Sequence, residues 1–554
     1  MSLVAESRPS ERQLARSAAR ESGALQSEYG FLVGRFIDQA TLMRASALAA
    51  RWGVHPHEVM IANGWLEAED YYRALAERCA APFKSRLVAA DVAPAAMASP
   101  RQSLSRGVLK ERARAGQFVF APDRLRPNAL REMLARLSPY GFSLASPNAV
   151  RSAICHHFGP SFALHAIEGL ASRHPGMSAR TRPALWQRLT LLCAMLALVA
   201  AMALAPIGAM RAIMLALAVL FVPVIALRLV AACFLLVSDN DDARAAPPRV
   251  PDHELPIYTL LVPLYREAHM LPPLIAALTR LDYPAAKLDI KLILEAADGA
   301  TVAAARALRL PGNVEIVVVP ELHPRTKPKA LNYALPLARG EYVVIYDAED
   351  RPEPGQLRQA LNAFRAGPPN LAAVQAQLNL YNPSDSWLTR QFTIEYCALF
   401  DGLLPALDRL KLPIPLGGTS NHFRASALVW LMGWDPFNVT EDADLGMRLA
   451  RNGYRCQMLR STTYEEAPVG LMAWIRQRTR WLKGYVQTWL VHMRAPGALW
   501  RELGAAASSP SRSWWEARSC RRWCIPGSMC WRVSNSPMAR CWRGPQACSA
   551  GRSG

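Results

Sequence analysis

The sequence predicts an α/β protein: a mostly parallel sheet behind two transmembrane helices, preceded by a small α/β domain. Three observations carry that prediction. Two apolar runs, 189–210 and 212–237, are each long enough to cross about 30 Å of hydrocarbon. After them, five short strand-like runs alternate with helical patterns, as parallel strands joined by crossover helices do. Before them, helical periodicity gives way to short strands and helices in turn.

The elements follow in chain order. Residues 1–25 are rich in Arg, Glu, Ser and Ala, show no core pattern and no apolar run, and read as a disordered tail without a secretory signal. A small domain is expected over 26–173. It begins with helical periodicity ("LMRASALAARWGV", "AEDYYRALAERCA") and ends with "GQFVFAPDRLRPNALREMLARL" and "FSLASPNAVRSAICHHFG", where strands and helices alternate. The two apolar helices occupy 185–237. Arg173, Arg180, Arg182 and Arg188 precede them and Arg211 alone separates them, so the positive-inside bias puts both ends in the cytoplasm. A polar, Pro-rich linker (238–256) then leads into a domain at 257–495. Its expected strands are 257–264, 290–295, 314–319, 341–347 and 372–378.

Composition narrows the function classes. The chain has 554 residues, 51% hydrophobic and 19% charged, with a formal net charge of +20. That balance suits a membrane component facing anionic lipid or substrate. No basic stripe interleaved with aromatics appears, so no nucleic acid is expected as a partner. Six of the eleven cysteines are scattered without CxxC spacing, as small core residues in a reducing compartment are.

The chemistry concentrates where strands end. "VVIYDAED" runs from a buried-looking strand into Asp347, Glu349 and Asp350. Acids so clustered need a cation or a proton, and this set suits Mg²⁺ or Mn²⁺ shared with phosphate. In a parallel sheet ligands bind beyond the carboxyl ends of the strands, where Tyr265, Glu267 and Asp298 also fall. "TKPKALNYA" starts a helix with Lys327, Lys329 and Asn332, and lysines at a helix start suit an anionic ligand better than they suit the helix dipole. "TEDADLG" offers Glu441 and Asp442 as helix cap or general base. "QRTRWLKG" sets Gln477 and Arg480 on one helix face beside Trp481, as a phosphate clamp or a lipid-facing helix.

Taken in order, "VPLYREA", "ADGAT", "KPKALN", "DAED", "GGTSNHF", "TED" and "QRTRW" make residues 255–495 resemble the family-2 glycosyltransferases, in their membrane-embedded, cellulose-synthase-like branch. The resemblance implies a nucleotide-sugar glycosyltransferase fold of the GT-A type. It implies an inverting transfer of a sugar from a nucleoside diphosphate sugar, a UDP-sugar, to a growing glycan or lipid-linked acceptor. Residue by residue, it implies that Tyr265, Glu267 and Asp298 border the nucleotide and that Lys329 approaches the diphosphate. Asp347, Glu349 and Asp350 would hold the metal, Asp347 also meeting the nucleotide. Asp442 would be the catalytic base, and Gln477, Arg480 and Trp481 would hold the diphosphate and the acceptor end. Ala297 stands where the family usually has the first Asp of "DDG". Two alternatives remain: single transfer to a polyprenyl phosphate carrier, or an inactive truncated paralogue that only docks partners.

Residues 29–173 resemble the N-terminal domain of type II secretion ATPases, on "VMIANGWLEAEDYYRALAERCAAPF" and "QFVFAPDRLRPNAL". That resemblance implies a docked protein partner, or cyclic di-GMP, and a place on a bacterial inner (cytoplasmic) membrane. Beyond about Ala505 the composition turns to Arg, Cys, Trp, Ser, Gly and Pro, and five cysteines there lack zinc-finger spacing. Residues 505–554 therefore read as a disordered, frameshifted tail.

Overall fold

The computed structural model describes residues 28–88, 91–94, 107–112, 117–123, 125–136, 141–237 and 249–505. The expected disordered tail at 1–25, most of the 238–256 linker and the expected frameshifted tail beyond 505 lie outside the described residues.

The N-terminal unit joins helices Gln39–Trp52, Pro56–Ala62 and Ala68–Arg78 to a four-stranded sheet, β1 (Val92–Pro94), β2 (Val108–Glu111), β3 (Gln117–Phe120) and β4 (Gly141–Leu144), in that order. Asp38 caps the first helix by accepting a hydrogen bond from the Thr41 amide at 2.7 Å. Leu42, Ala45 and Ala49 recur at helical spacing on its buried face, packing with Val59, Tyr71, Leu75 and Leu144 into a separate core. The helix Pro147–Arg173, capped by Ser146, then runs onto the larger domain.

Two helices, Leu185–Leu204 and Pro206–Val237, are long and apolar enough to cross a membrane by length and composition, and they are almost wholly uncovered by the rest of the protein. The chain enters and leaves this pair against one domain. Gln187 Nε2 donates to the Leu490 carbonyl at 2.9 Å, and Arg409 donates to the Phe234 carbonyl at 3.2 Å.

The main sheet has eight strands: β5 (Tyr258–Leu264), β6 (Leu288–Glu295), β7 (Val314–Val319), β8 (Tyr342–Ile345), β9 (Arg351–Pro352), β10 (Leu371–Leu380), β11 (Asn421–Arg424) and β12 (Arg455–Glu465). Their order is β7-β6-β5-β8-β11-β10-β12-β9. All five expected strands are present. The sheet is mixed, because β11 and β9 pair antiparallel with their neighbours. Since β11 runs against both β8 and β10, the strands β5, β6, β7, β8, β10 and β12 all point one way. Both faces are covered, as continuous apolar strands require. Leu261, Ile293, Val343 and Ile345 enter one core, and Leu260, Val262, Leu292 and Val344 enter the other.

The N-terminal unit docks on the β7 edge. Arg151 Nε pairs with Glu315 at 3.2 Å and Arg51 with Asp252 at 3.0 Å. Glu315 in turn meets the fully buried Lys291, which holds Asp289 at 3.0 Å. At Gly312 the backbone passes so near the Ile61 carbonyl that a Cβ would collide with it, so only glycine fits that seam. Asn332 also ties the helix Lys327–Ala334 to the long N-terminal helix, donating to the Ala166 carbonyl at 3.1 Å.

Candidate active site

A cleft of about 420 Å³ opens at the sheet edge where β5, β6 and β8 end. Tyr265 and Glu267 approach it from the turn after β5, and Asp347 and Glu349 from the turn after β8. Lys327 comes from the first residue of its helix, and Arg480 from the helix Leu471–His492. Two of these four stretches meet because parallel strands deliver their carboxyl ends to one edge, and two helices bring the others.

The turn after β8 sorts its acids by depth. Asp347 and Glu349 face the cleft. Asp350 is buried beneath it, where Oδ2 accepts from the Asp347 amide at 2.7 Å and from the Thr419 hydroxyl. Its Oδ1 has no hydrogen-bond partner among the described residues, and burial, with the Glu465 charge next, pushes the carboxyl well up. Asp350 therefore shapes the turn from below. Burial, then the neighbouring Asp347, pushes Glu349 up to about 7.

The two lysines of "KPK" part company. Lys327 Nζ pairs with Asp347 Oδ1 at 2.6 Å and donates to the Gly418 carbonyl at 2.7 Å. Lys329 is fully buried, pairing with Glu295 Oε2 at 2.8 Å and donating to the Leu322 carbonyl at 3.1 Å. Lys327, not Lys329, lies where an anion in the cleft would meet it. Breaking a buried pair leaves an uncompensated charge, so Lys329→Met should cost about 3–5 kcal/mol of stability. Denaturant titration measures this. A Lys329→Met protein of unchanged stability that fails to bind nucleotide would instead return Lys329 to the diphosphate.

Asp298 also works on the backbone. It caps the helix Gly299–Ala307 through the Thr301 amide and accepts from the Arg266 amide at 2.5 Å. Arg266 sits at φ 62°, a left-handed conformation that side chains resist, and the Asp298 bond holds it there between Tyr265 and Glu267. Burial pushes Asp298 up, but the hydrogen bonds from Thr301 and Arg266 outweigh it and hold the carboxyl below its usual range.

Asp442 stands in the first turn of the helix Glu441–Arg451, buried, with Oδ1 lacking any partner among the described residues. Burial, then the Glu441 charge, pushes it well up, while Lys327 pulls the other way. A Cβ on Gly418 would lie 3.7 Å from Asp442 Oδ2, so the base candidate lies against the loop whose carbonyl also meets Lys327. The helix Leu471–His492 is latched to the segment before Asp442. Asn438 Nδ2 donates to Thr488 at 2.9 Å and Gln487 Nε2 to the Phe437 carbonyl at 2.8 Å. Gly484 abuts Thr440 so tightly that any Cβ would collide. The same helical face presents Arg480, one turn earlier, to the cleft. Trp481 packs 6.0 Å from Phe392 with the Arg478 guanidinium over its ring, and Gln477 Oε1 is buried without a partner among the described residues.

Sequence reasoning missed Glu465. It ends β12, which points the same way as β8, and its signal was the one that singled out "DAED": a strand running into acids, here "TTYEE". Burial, then Asp347 and Glu349, pushes Glu465 up to about 8, and burial pushes Glu441 up to about 7, both from 4.5. A carboxyl raised in the fold stabilises it below the unfolded value and loses that contribution as pH rises through the folded one. The ligand-free protein should therefore melt at a higher temperature at about pH 6.5 than at about pH 8.5, and Glu465→Gln should flatten the slope. Below about pH 6.5 the opposing penalty of His57 and His422, which burial holds down to about 3, sets in. A melting temperature independent of pH between about 6.5 and 8.5 would contradict the burial of these acids.

The cleft thus sets three cations, Arg325, Lys327 and Arg480, among carboxylates, an arrangement for anionic phosphate and a shared divalent cation. Among the described residues no group of three His, Cys, Asp or Glu is placed to hold a metal unaided. Asp347 and Glu349 fit a hard cation that takes its remaining oxygens from phosphate and water, as Mg²⁺ commonly does.

Residues 256–484 match the family described as "Glycosyltransferase like family 2". The chain is 26% identical over 239 residues to "Probable glycosyltransferase YdaM" of Bacillus subtilis (strain 168), covering 42% of this chain and 56% of that protein. It is 26% identical over 251 residues to "Cellulose synthase 2" of Novacetimonas hansenii, 44% of this chain and 15% of that one. It is 30% identical over 145 residues to "Probable glucomannan 4-beta-mannosyltransferase 7" of Oryza sativa subsp. japonica, 26% and 25% respectively. The chain spans about half or less of the length of these relatives. Among solved structures, a mannosyltransferase from Pyrobaculum calidifontis in complex with GDP-Man and Mn²⁺ is 24% identical, with a TM-score of 0.38 over 53% of this chain and 87% of that one. Residues 256–484 are thus similar to a glycosyltransferase family 2 domain, on the mixed α/β sheet described above.

Proposed function

We propose that this protein is an inverting, metal-dependent glycosyltransferase that moves a sugar from a nucleoside diphosphate sugar to a glycan acceptor at the cytoplasmic face of a membrane. One observation carries the proposal: Tyr265, Glu267, Lys327, Asp347, Glu349 and Arg480 surround a single cleft in a family 2 domain, with Asp442 beside it. Asp347 and Glu349 would hold the cation, which when bound neutralises charge on the diphosphate. Lys327 and Arg480 stabilise the leaving diphosphate as the bond from the anomeric carbon to the β-phosphate oxygen breaks. Asp442 takes the proton of the attacking acceptor hydroxyl as the new glycosidic bond forms. Its raised proton affinity, set by burial and Glu441, suits that uptake.

The membrane placement is supported by the helix Leu471–His492. Leu471, Ile475, Leu482, Val486 and Trp489 are exposed along one face, opposite Arg480 and Gly484. Such a stripe suits a helix lying in the headgroup region. Its far end meets the start of the first apolar helix, where Trp186 Nε1 donates to the Arg494 carbonyl at 3.1 Å. Two crossings that begin and end against one domain support a catalytic domain on one side of the bilayer. The N-terminal unit, with its own core, is proposed as the surface for a protein partner.

The test is to incubate membranes containing the protein with a panel of labelled UDP- and GDP-sugars plus Mn²⁺. Label from one donor should enter a glycan or lipid fraction. No incorporation from any donor, together with no nucleotide binding in the presence of Mn²⁺, would sink the proposal.

A further inference from the structure

Lys327 occupies an unusual place for a substrate-binding lysine. Its ammonium lies on Asp347 at 2.6 Å and on the Gly418 carbonyl at 2.7 Å. Burial opposes its charge, and the carboxyls of Asp347, Asp442 and Glu441 favour it. Glu349 and Glu465 stand close enough to feel Asp347 as well. Lys327 bridges the donor-side acid and the glycine loop, within electrostatic reach of the acids of "TED". The ammonium therefore holds the very carboxylate that a divalent cation would need.

We infer that Lys327 is an internal counter-cation whose release from Asp347 couples metal binding to nucleotide binding, so that the cation enters with the diphosphate and not ahead of it. This rests on the donor-cleft reading above. A cation arriving alone must break the Lys327–Asp347 pair and leaves the ammonium facing only a carbonyl and the remaining acids. A cation arriving on a diphosphate brings its own anionic oxygens. Asp347 then exchanges an ammonium for the metal, and Lys327 exchanges a carboxylate for phosphate, so no charge is left unpaired. Ordered entry follows from charge conservation in a half-buried site, where an unpaired ion is costly.

Mn²⁺ binding to the full chain in detergent, read from the free-ion electron paramagnetic resonance signal, tests this without any turnover. Wild-type protein should bind Mn²⁺ alone weakly and much more tightly with a nucleoside diphosphate. Lys327→Met should bind Mn²⁺ alone about ten- to hundredfold more tightly than wild type, the worth of one charge-assisted hydrogen bond, and should lose most of the nucleotide enhancement. Lys327→Gln, which can still donate to the Gly418 carbonyl, serves if Lys327→Met does not fold. Unchanged or weaker nucleotide-free Mn²⁺ affinity in the folded variant overturns the exchange while leaving the donor cleft standing. Failure of wild-type protein to bind Mn²⁺ with any nucleoside diphosphate overturns both.

Discussion

Asp442→Asn should lower sugar transfer by about 10²–10⁴-fold, the usual loss when a general base is removed, while donor affinity stays nearly unchanged. The substitution keeps size and hydrogen-bonding capacity and removes only the proton acceptor. The geometry makes the prediction sharp. Asp442 Oδ1 has no partner among the described residues, so the new amide breaks no hydrogen bond of that atom with them. Its neighbour in the same helix, Asp444, shows the contrast. Asp444 is locked to Arg448 at 2.7 Å and His492 at 3.0 Å, so it should fail by unfolding. Steady-state rates with donor titration separate the cases: Asp442→Asn loses kcat at constant donor affinity, and Asp444→Asn loses melting temperature. Normal turnover in Asp442→Asn would reduce this residue to a helix cap.

Removing divalent cations should stop transfer altogether, and Glu349→Gln should weaken metal-dependent nucleotide binding by about tenfold or more, since at least one charged contact of roughly 1.5–3 kcal/mol is lost. Asp347 and Glu349 are the acids of the turn that face the cleft, and neither can be replaced from beneath by Asp350, whose carboxyl is committed to the Asp347 amide and Thr419. Chelator titration followed by add-back of Mg²⁺ or Mn²⁺ measures the first effect. Full activity in excess chelator would remove the metal from the account.

Much of this was legible in the sequence, and the failures share physical causes. The five strands that the sequence predicts are apolar because both faces of the central sheet are covered. β12 escaped notice because Arg455 and Arg460 interrupt it near the sheet edge, where one face is partly open, and β11 because four residues carry no readable period. "KPK" showed that a lysine would matter but not which one. Residues two apart on a helix point to different sides, so one reached the cleft and the other the core, and only the packing of Glu295 decides between them. The same blindness to direction grouped Asp350 with Asp347 and Glu349. Sequence spacing lists neighbours along the chain; it does not say which of them share a solvent.

The contact between the long N-terminal helix and the helix that begins at Lys327 has a thermodynamic consequence. Asn332 joins them through the Ala166 carbonyl, five residues along the chain from the Lys327 whose ammonium sits on Asp347. Two ligands that bias one shared element must bias each other equally. Whatever docks on the N-terminal unit and prefers one setting of that helix will change the affinity for donor by some factor, and saturating donor will change the affinity of the docked molecule by that same factor. That equality holds whatever the route, so the route is read from Asn332→Ala: loss of the coupling in that variant places the linkage in this helix pair, and coupling that survives it places the linkage elsewhere.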